Sequence, residues 1–340
     1  MVFLALAVLI SSFSMTGFFR NYAFKRSLID IPNARSSHSR PTPRGGGVAI
    51  VVSLSFGLAI FCWLGEVSFR FALAVGLGGL LVAAVSYLDD RYDLPARWRF
   101  LVHVIAAGWA LWWLGGIPPL LIFDQELRLD WLGILIGGLF IVWLLNLYNF
   151  MDGIDGIAGV EAVTVACSAA VLLGLGGDSA AALQLLLLAA AALGFLLWNW
   201  PPAKIFMGDV GSAYLGFVFA VIALETSREG PLNLWVWLIL LAVFITDASV
   251  TLLRRLWRGE RWYQAHRSHA YQQAARRFGS HLKVTLTVGA LNVLWLLPLA
   301  GLASMYSDSG WWLAGLAYTP LVVIALALNA GVCDSKNSTY

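Results

Sequence analysis

The chain has 340 residues, of which 60% are hydrophobic and 12% charged. A soluble domain carries about 25% charged residues, so composition excludes an ordinary water-soluble protein and indicates a polytopic helical membrane protein. A net charge of only +3 points to no nucleic-acid partner, and the scattered cysteines Cys62, Cys167 and Cys333 suggest neither a disulfide framework nor a thiolate metal site.

The first apolar run, Met1 to Phe19, has no positive residue before it, and Arg20, Lys25 and Arg26 after it. A cleavable signal peptide carries its positive charge first, so this run is expected to be an uncleaved first span with its N-terminus outside. A hydrocarbon core of about 30 Å needs roughly 20 helical residues. Such runs begin near residues 2, 46, 71, 99, 131, 157, 180, 211, 232, 282 and 312. The expected fold is therefore all-α with about eleven transmembrane helices, N-terminus out and C-terminus in. The sixth and seventh runs are divided by Gly176-Gly177-Asp178-Ser179 alone.

Charge distribution supports that orientation. Of the 22 lysines and arginines, only Arg70, Arg128 and Arg228 fall on the outer face, and cytoplasmic loops are the ones enriched in positive charge. Trp112-Trp113, Trp198, Trp200, Trp235, Trp237 and Trp311-Trp312 lie near span ends, where lipid-interface anchoring accounts for them. One membrane-embedded domain, residues 1–340, is expected, with functional loops at 20–45, 89–99, 146–157, 199–212 and 254–283, all on the cytoplasmic face.

The acidic residues gather on that same face. Asp89-Asp90-Arg91-Tyr92-Asp93 follows the third run. If the helix continues, Asp89 and Asp93, and Asp90 and Asp93, share a face. Clustered carboxylates repel unless a cation sits among them, so Mg²⁺ or Mn²⁺ with a phosphate substrate is the natural partner. The competing reading is a helix end paired with Arg91, Arg97 or Arg99. In Asn146-x-x-Asn149-x-x-Asp152-x-x-Asp155 the period of three suits one polar helical edge, and Gly153 and Gly156 would let a ligand approach the backbone. The bland reading there is a polar helix cap with turn glycines.

Three further segments carry weaker signals. The loop Asn199 to Ser212 leads into the eighth run; Asp209 at its start suits the helix dipole or a ligand, and Phe206 suits loop packing or stacking on a base. Asp247, seven residues before Arg254, would sit about 10 Å into the membrane, pairing with an arginine or supporting the site. The basic segment Arg254 to Lys283 contains His266-Arg267-Ser268-His269. Those groups suit an anionic diphosphate better than zinc, although anchoring to anionic lipid explains part of the charge. Arg35, His38, Arg40 and Arg44, followed by Gly45-Gly46-Gly47, carry the same two readings, the glycines as a weak phosphate cradle.

At these residues the chain resembles the polyprenyl-phosphate N-acetylhexosamine-1-phosphate transferases, from Asp30-Ile31-Pro32-Asn33 to His269. The resemblance implies transfer of a sugar 1-phosphate from a UDP-N-acetylhexosamine to undecaprenyl phosphate, with release of UMP, in the bacterial inner membrane. It implies that Asp209 is the Mg²⁺ ligand and that Asp89 and Asp90 are the acidic pair at the reacting phosphates. Asn149, Asp152 and Asp155 match the nucleotide-sugar motif, Asn199 and Phe206 the uridine side, and His269, His266 and Arg267 the histidine loop near the diphosphate. Asp93 stands where the muramoyl-pentapeptide enzymes have lysine, and Ser268 takes the third place of the histidine loop. The first feature, and the run His266-Arg267-Ser268-His269-Ala270-Tyr271-Gln272, favour the branch that initiates O-antigen and lipopolysaccharide synthesis, whereas Ser268 departs from the family pattern. N-acetylfucosamine, N-acetylquinovosamine and N-acetylglucosamine donors are all compatible with the chain, as is a homodimer.

On this reading Asp89 takes any remaining proton from the lipid phosphate, which attacks directly, and a covalent aspartyl-phosphate stays open. An ion-coupled secondary transporter is the rival class, but no internal repeat is visible and most acids gather at one face. A CDP-alcohol phosphotransferase would need Asp-Gly-x-x-Ala-Arg, which Asp152-Gly153-Ile154-Asp155 does not supply.

Overall fold

The computed structural model describes residues 2–32, 40–122, 125–229, 232–260 and 266–332. Asn33, Arg35 and His38 of the first basic loop, Arg261 of the long one, and Cys333 lie outside the described residues.

Helices dominate: α1 (Val2–Lys25), α2 (Gly47–Trp63), α3 (Phe69–Tyr92), α4 (Ala96–Leu114), α5 (Asp130–Met151), α6 (Ile157–Leu175) and α7 (Ser179–Asn199). They continue as α8 (Asp209–Glu229), α9 (Leu234–Leu240), α10 (Ala242–Trp257), α11 (Ala270–Phe278), α12 (His281–Leu291), α13 (Leu297–Met305) and α14 (Gly310–Ala327). Two small antiparallel pairs complete the described residues, β1 (Ile29–Asp30) with β2 (Thr42–Pro43) and β3 (Leu120–Ile122) with β4 (Gln125–Leu127). Backbone polar groups have no water to bond to in lipid, which restricts spanning segments to helices of this kind.

Each apolar run of the sequence falls on a helix. Among the described residues, eight helices are long and apolar enough to cross a membrane, and nine if α9 and α10, bent by 75° at their junction, are counted as one broken span. The chain is a multi-pass membrane protein. Among the other two expected spans, α2 is shorter at 17 residues, and α4 begins with Arg97 and Arg99 in its first turn.

Helix boundaries follow local chemistry. Ser68 caps α3 by accepting from Phe71 N at 3.1 Å, and Asp178 caps α7 by accepting from Ala181 N at 3.0 Å. The division at Gly176–Ser179 is therefore a true turn. Pro298, in the first turn of α13, follows a π-helical turn at Asn292–Leu296. A proline ring clashes with the carbonyl four residues back and removes a hydrogen bond, so the ladder widens there.

Small residues set the inter-helix distances. A Cβ on Gly216 of α8 would lie 2.6 Å from the Leu144 carbonyl oxygen of α5, and one on Gly47 would lie 2.4 Å from Gly211 Cα. Close backbone approach of this kind is how membrane helices pack when lipid is as apolar as their side chains. The result puts α8 at the centre, against α2, α3 and α5. Of its spanning window 89% is buried, against 17% for α1. Gly46-Gly47, a weak phosphate cradle by sequence, is instead filled by protein: Gly47 by Gly211, and Gly46 by the Phe195 ring, 2.7 Å from its would-be Cβ.

Candidate active site

Three helix ends meet around Asp209. The C-terminal turn of α3 brings Asp89 and Asp90, the end of α5 brings Asn149 and Asp152, and the start of α8 supplies Asp209 itself. The Asn149 amide hydrogen-bonds the Asp209 carboxylate. Asp90 Oδ2 accepts a long bond from Val210 N at 3.5 Å. Loop 200–208 is pinned beside them by backbone bonds from Phe206 N to Pro43 O and from Gly46 N to Phe206 O.

Two arginines enter the cluster. Arg99 Nη1 donates to Asp89 Oδ2 at 2.5 Å and lies 3.8 Å from Asp209 Oδ2. Arg44 lies 4.0 Å from Asp90 Oδ1 and also donates to the Asp90 carbonyl. Side-chain exposure separates the three acids: 8% for Asp89, 14% for Asp90 and 34% for Asp209. Asp209 is the carboxylate most open to a ligand. Burial, then the neighbouring Asp209, Asp90 and Asp155 carboxylates, hold the Asp152 carboxyl well above the usual carboxylate range. Three or more acids that resist ionising together form a surplus of negative charge that a cation or proton must relieve.

A second cluster lies against the end of α5. Asp247, buried in α10, accepts from Ala270 N and Tyr271 N at 2.8 Å each, and from Thr251 Oγ1 at 3.1 Å. Its Oδ1 also meets His269 Nδ1 at 3.2 Å. One carboxylate thus closes the N-terminus of α11, satisfying donors that a helix start leaves free, and fixes the imidazole plane. His266 stacks on His269 with centroids 4.9 Å apart, and Phe150 flanks His269 at 6.3 Å. Tyr271 Oη donates to the Phe150 carbonyl at 3.0 Å, tying this cluster to the end of α5.

A sequence model of glycosyl transferase family 4 matches residues 72–227, which span Asp89, Asp90, Asn149, Asp152 and Asp209. Full-length relatives extend the match beyond it. A decaprenyl-phosphate N-acetylglucosaminephosphotransferase of Mycolicibacterium smegmatis is 27% identical, covering 94% of this chain and 86% of its own. An undecaprenyl-phosphate alpha-N-acetylglucosaminyl 1-phosphate transferase of Salmonella typhimurium is 28% identical over 80% and 77%. A probable undecaprenyl-phosphate N-acetylglucosaminyl 1-phosphate transferase of Bacillus subtilis is 26% identical over 81% and 77%. Along most of its length the chain is similar to polyprenyl-phosphate N-acetylhexosamine-1-phosphate transferases. It is an enzyme, a polyprenyl-phosphate sugar-phosphate transferase.

Within this transferase the sequence-expected residues divide. Asp90, Asn149, Asp152 and Asp209 converge, and Asp89 stands behind them with both oxygens engaged, one by Arg99 and the other by Leu94 N at 2.8 Å. The pairing with Arg99, read from sequence as the alternative to a site, is real and coexists with the cluster. Asp93 does not share a helical face with Asp89 or Asp90: α3 stops at Tyr92, and Asp93 is an exposed left-handed cap with φ 52°. The polar edge from Asn146 to Asp155 is also broken. Asn146 bonds its own helix at Val142 O, α5 ends at Met151, and Asp155 turns away.

Asp155 and Asn199 act as braces. Asp155 Oδ2 accepts from Ala203 N at 3.1 Å and lies 3.4 Å from His281 Nδ1, while Thr285 Oγ1 donates to its carbonyl at 2.8 Å. Asn199, 2% exposed, accepts from Gly156 N and donates to Ile205 O, both at 2.9 Å. Its amide joins two loops instead of facing a uridine. Phe206 is half-buried in the adjoining loop. Gly153 is small for the sake of Tyr271, whose Oη would lie 2.0 Å from a Cβ there. No ligand is needed to explain that glycine.

The histidine loop holds one surprise. Burial, then the neighbouring His269 and Arg255, pushes His266 down to about 3, so it is neutral at physiological pH and offers hydrogen bonds instead of charge. Arg267 is half-buried, its carbonyl accepting from Arg276 Nη2 at 3.0 Å. Asp247 was visible in the sequence as a buried acid in an apolar run, but its partners His269, Ala270 and Tyr271 lie 22 to 24 residues away across a loop. No local pattern could name them.

Among the described residues no group of three or more His, Cys, Asp or Glu is arranged to hold a metal ion alone. The donor set is nonetheless all oxygen around Asp209. Mg²⁺ characteristically takes one or two carboxylates and fills its shell with water and substrate phosphate, and Asp209 with its nearby acids fits that mode.

Proposed function

We propose that the protein transfers N-acetylhexosamine 1-phosphate from a UDP-sugar to undecaprenyl phosphate, giving undecaprenyl-diphospho-sugar and UMP. The site would face the cytoplasm of the bacterial inner membrane, and the reaction would initiate O-antigen or a related surface glycan. The observation that carries this reading is the convergence of Asp90, Asn149, Asp152 and Asp209, contributed by three helix ends, beside a histidine fixed by Asp247.

The chemistry is a phosphoryl transfer. An oxygen of the lipid phosphate attacks the phosphorus attached to the sugar, the bond from that phosphorus to the bridging oxygen breaks, and the electron pair leaves with UMP. Such reactions need positioning and charge neutralisation more than covalent help. Mg²⁺ held by Asp209, with substrate phosphate oxygens and water, would supply part of that neutralisation. Arg99 and Arg44 add fixed positive charge next to the acids. Asp90 suits the removal of a residual acceptor proton better than Asp89, because Asp89 is already committed to Arg99 and Leu94. His269, oriented by Asp247, would hydrogen-bond the leaving phosphate, with His266 as a neutral second donor.

Purified protein supplied with undecaprenyl phosphate, Mg²⁺ and a panel of UDP-N-acetyl sugars tests the proposal. Lipid-dependent UMP release with one donor supports it and names the sugar. UMP release that ignores the lipid, or none with any donor from folded protein, would overturn it. The transporter reading has no support among the relatives, all named as transferases.

A further inference from the structure

The helices that carry the acidic cluster have a second feature at their other ends. Arg99 lies in the first turn of α4, Asp152 caps the end of α5 and Asp209 begins α8. The opposite termini of these three helices, about 30 Å away by helical rise, surround a cavity of ≈ 640 Å³. It is remote from every residue of the candidate active site.

Arg128, Arg228 and Asp130 line this cavity, a net positive set, with apolar walls that include Trp112, Ile117 and Pro119. On the proposed topology just three of the 22 lysines and arginines lie on that face, and two of them share one cavity. Positive charge is depleted on an outer face, so its concentration in a single concave site calls for a reason. Arg228 donates to the Leu114 carbonyl and lies flat on the backbone of Gly115, where a Cβ would come within 2.7 Å of its guanidinium. The guanidinium is thereby held in one place and still reaches the cavity.

The rim is conformationally unusual as well. Gly115 and Gly116 adopt φ of 77° and 101°, and Asp130, a residue with a side chain, adopts 42°. Left-handed backbone in a non-glycine residue costs free energy and clusters where function demands it. Trp112 stands at the edge, 81% exposed, as an interfacial anchor would.

We propose that this cavity is a second ligand site, on the face opposite the transfer chemistry, that binds a phosphate-bearing anion next to an apolar body. Two guanidinium groups lining one cavity offer phosphate oxygens both charge and hydrogen-bond donors. Apolar walls beneath an interfacial tryptophan suit the head group and first methylenes of an anionic lipid. The inference does not depend on the identity of the sugar donor or on the transfer reaction.

The test uses the full chain in detergent and native mass spectrometry. Phosphatidylglycerol is the lipid probe and inorganic diphosphate the free-anion probe, applied to wild type, Arg128→Glu, and the double substitution Arg128→Ala with Arg228→Ala. Arg128→Glu leaves the Arg228–Leu114 bond in place and so keeps the test readable if the double variant fails to fold. Wild type is expected to retain one more phosphatidylglycerol than either variant, with affinity at that site weakened roughly tenfold or more per lost arginine. UMP release should be unchanged in both variants. Diphosphate binding that is lost in the variants, without a difference in lipid retention, supports the anion site with a free anion as its source. Equal binding of both probes by wild type and Arg128→Glu overturns the proposal.

Discussion

Replacing Asp247 by Asn separates support of the histidine from the chemistry itself. In the protein Oδ1 meets Thr251, Ala270 N and His269 Nδ1, and Oδ2 accepts from Tyr271 N. An asparagine that keeps its oxygen at the three-bond position points its NH₂ at the Tyr271 N–H, losing one charge-assisted bond. Such a bond contributes about 1.5–3 kcal/mol. If that cost falls on the geometry of His269 in the transition state, kcat drops roughly 10- to 150-fold, and KM for the UDP-sugar changes little. The assay is UMP release with separate kcat and KM, run on Asp247→Asn, His269→Gln and the double variant. Because Asp247 is expected to act through His269, the double variant should be scarcely slower than His269→Gln. Fully additive losses, or an Asp247→Asn enzyme with normal kcat, would refute the positioning role.

Three further outcomes follow from the site and its supports. Asp209→Asn should abolish transfer while leaving the protein folded and inserted, so normal turnover at saturating Mg²⁺ would remove Asp209 from the reaction. Asp152→Asn, measured in chelator, should raise the thermal unfolding midpoint. The wild-type carboxyl holds its proton more tightly in the fold than at the unfolded value of about 3.9, so wild-type stability falls as pH rises above that value, and the variant's advantage should grow with pH; a gap that shrinks on the same titration would show that its neighbours do not repel it. In the membrane interior, Glu161 accepts from Asn292 Nδ2 at 2.7 Å, yet Glu161 Oε1 and Asn292 Oδ1 are buried without partners. Two buried acceptors lack a donor, so Glu161→Gln, which brings an amide donor, should be as stable as wild type or more so, whereas Glu161→Ala should cost about 1–3 kcal/mol in reversible unfolding. A Gln variant as damaged as the Ala variant would show that a missing donor is not what the pair lacks.

Local patterns in the sequence were enough to place the spans, the breaks between them and the acids at their ends. An apolar run of about 20 residues has one stable form in lipid, because every N–H and C=O must be satisfied within the segment. The turn at Gly176–Ser179 was legible because it depends on residues within four positions, whereas its cap at Asp178 came from the structure. Resemblance along the motifs then pointed to the same transferases after which the relatives are named. Periodicity misled where a helix stopped early: Asp93 and Asp155 leave the faces assigned to them because left-handed caps and turn residues end α3 and α5 before those positions.

Tertiary structure decided which of the equivalent-looking acids and amides share a space. Asp90, Asp152 and Asp209 converge, whereas Asp155 and Asn199 tie loops together. Asp247 finds His269 across a loop. The cavity of Arg128 and Arg228 assembles from residues 100 positions apart in the chain. Each of these depends on helices packed at distances set by glycines such as Gly47, Gly211 and Gly216. A carboxylate's role is fixed by the donors and charges brought within a few ångströms of it, and only the packed bundle brings them there.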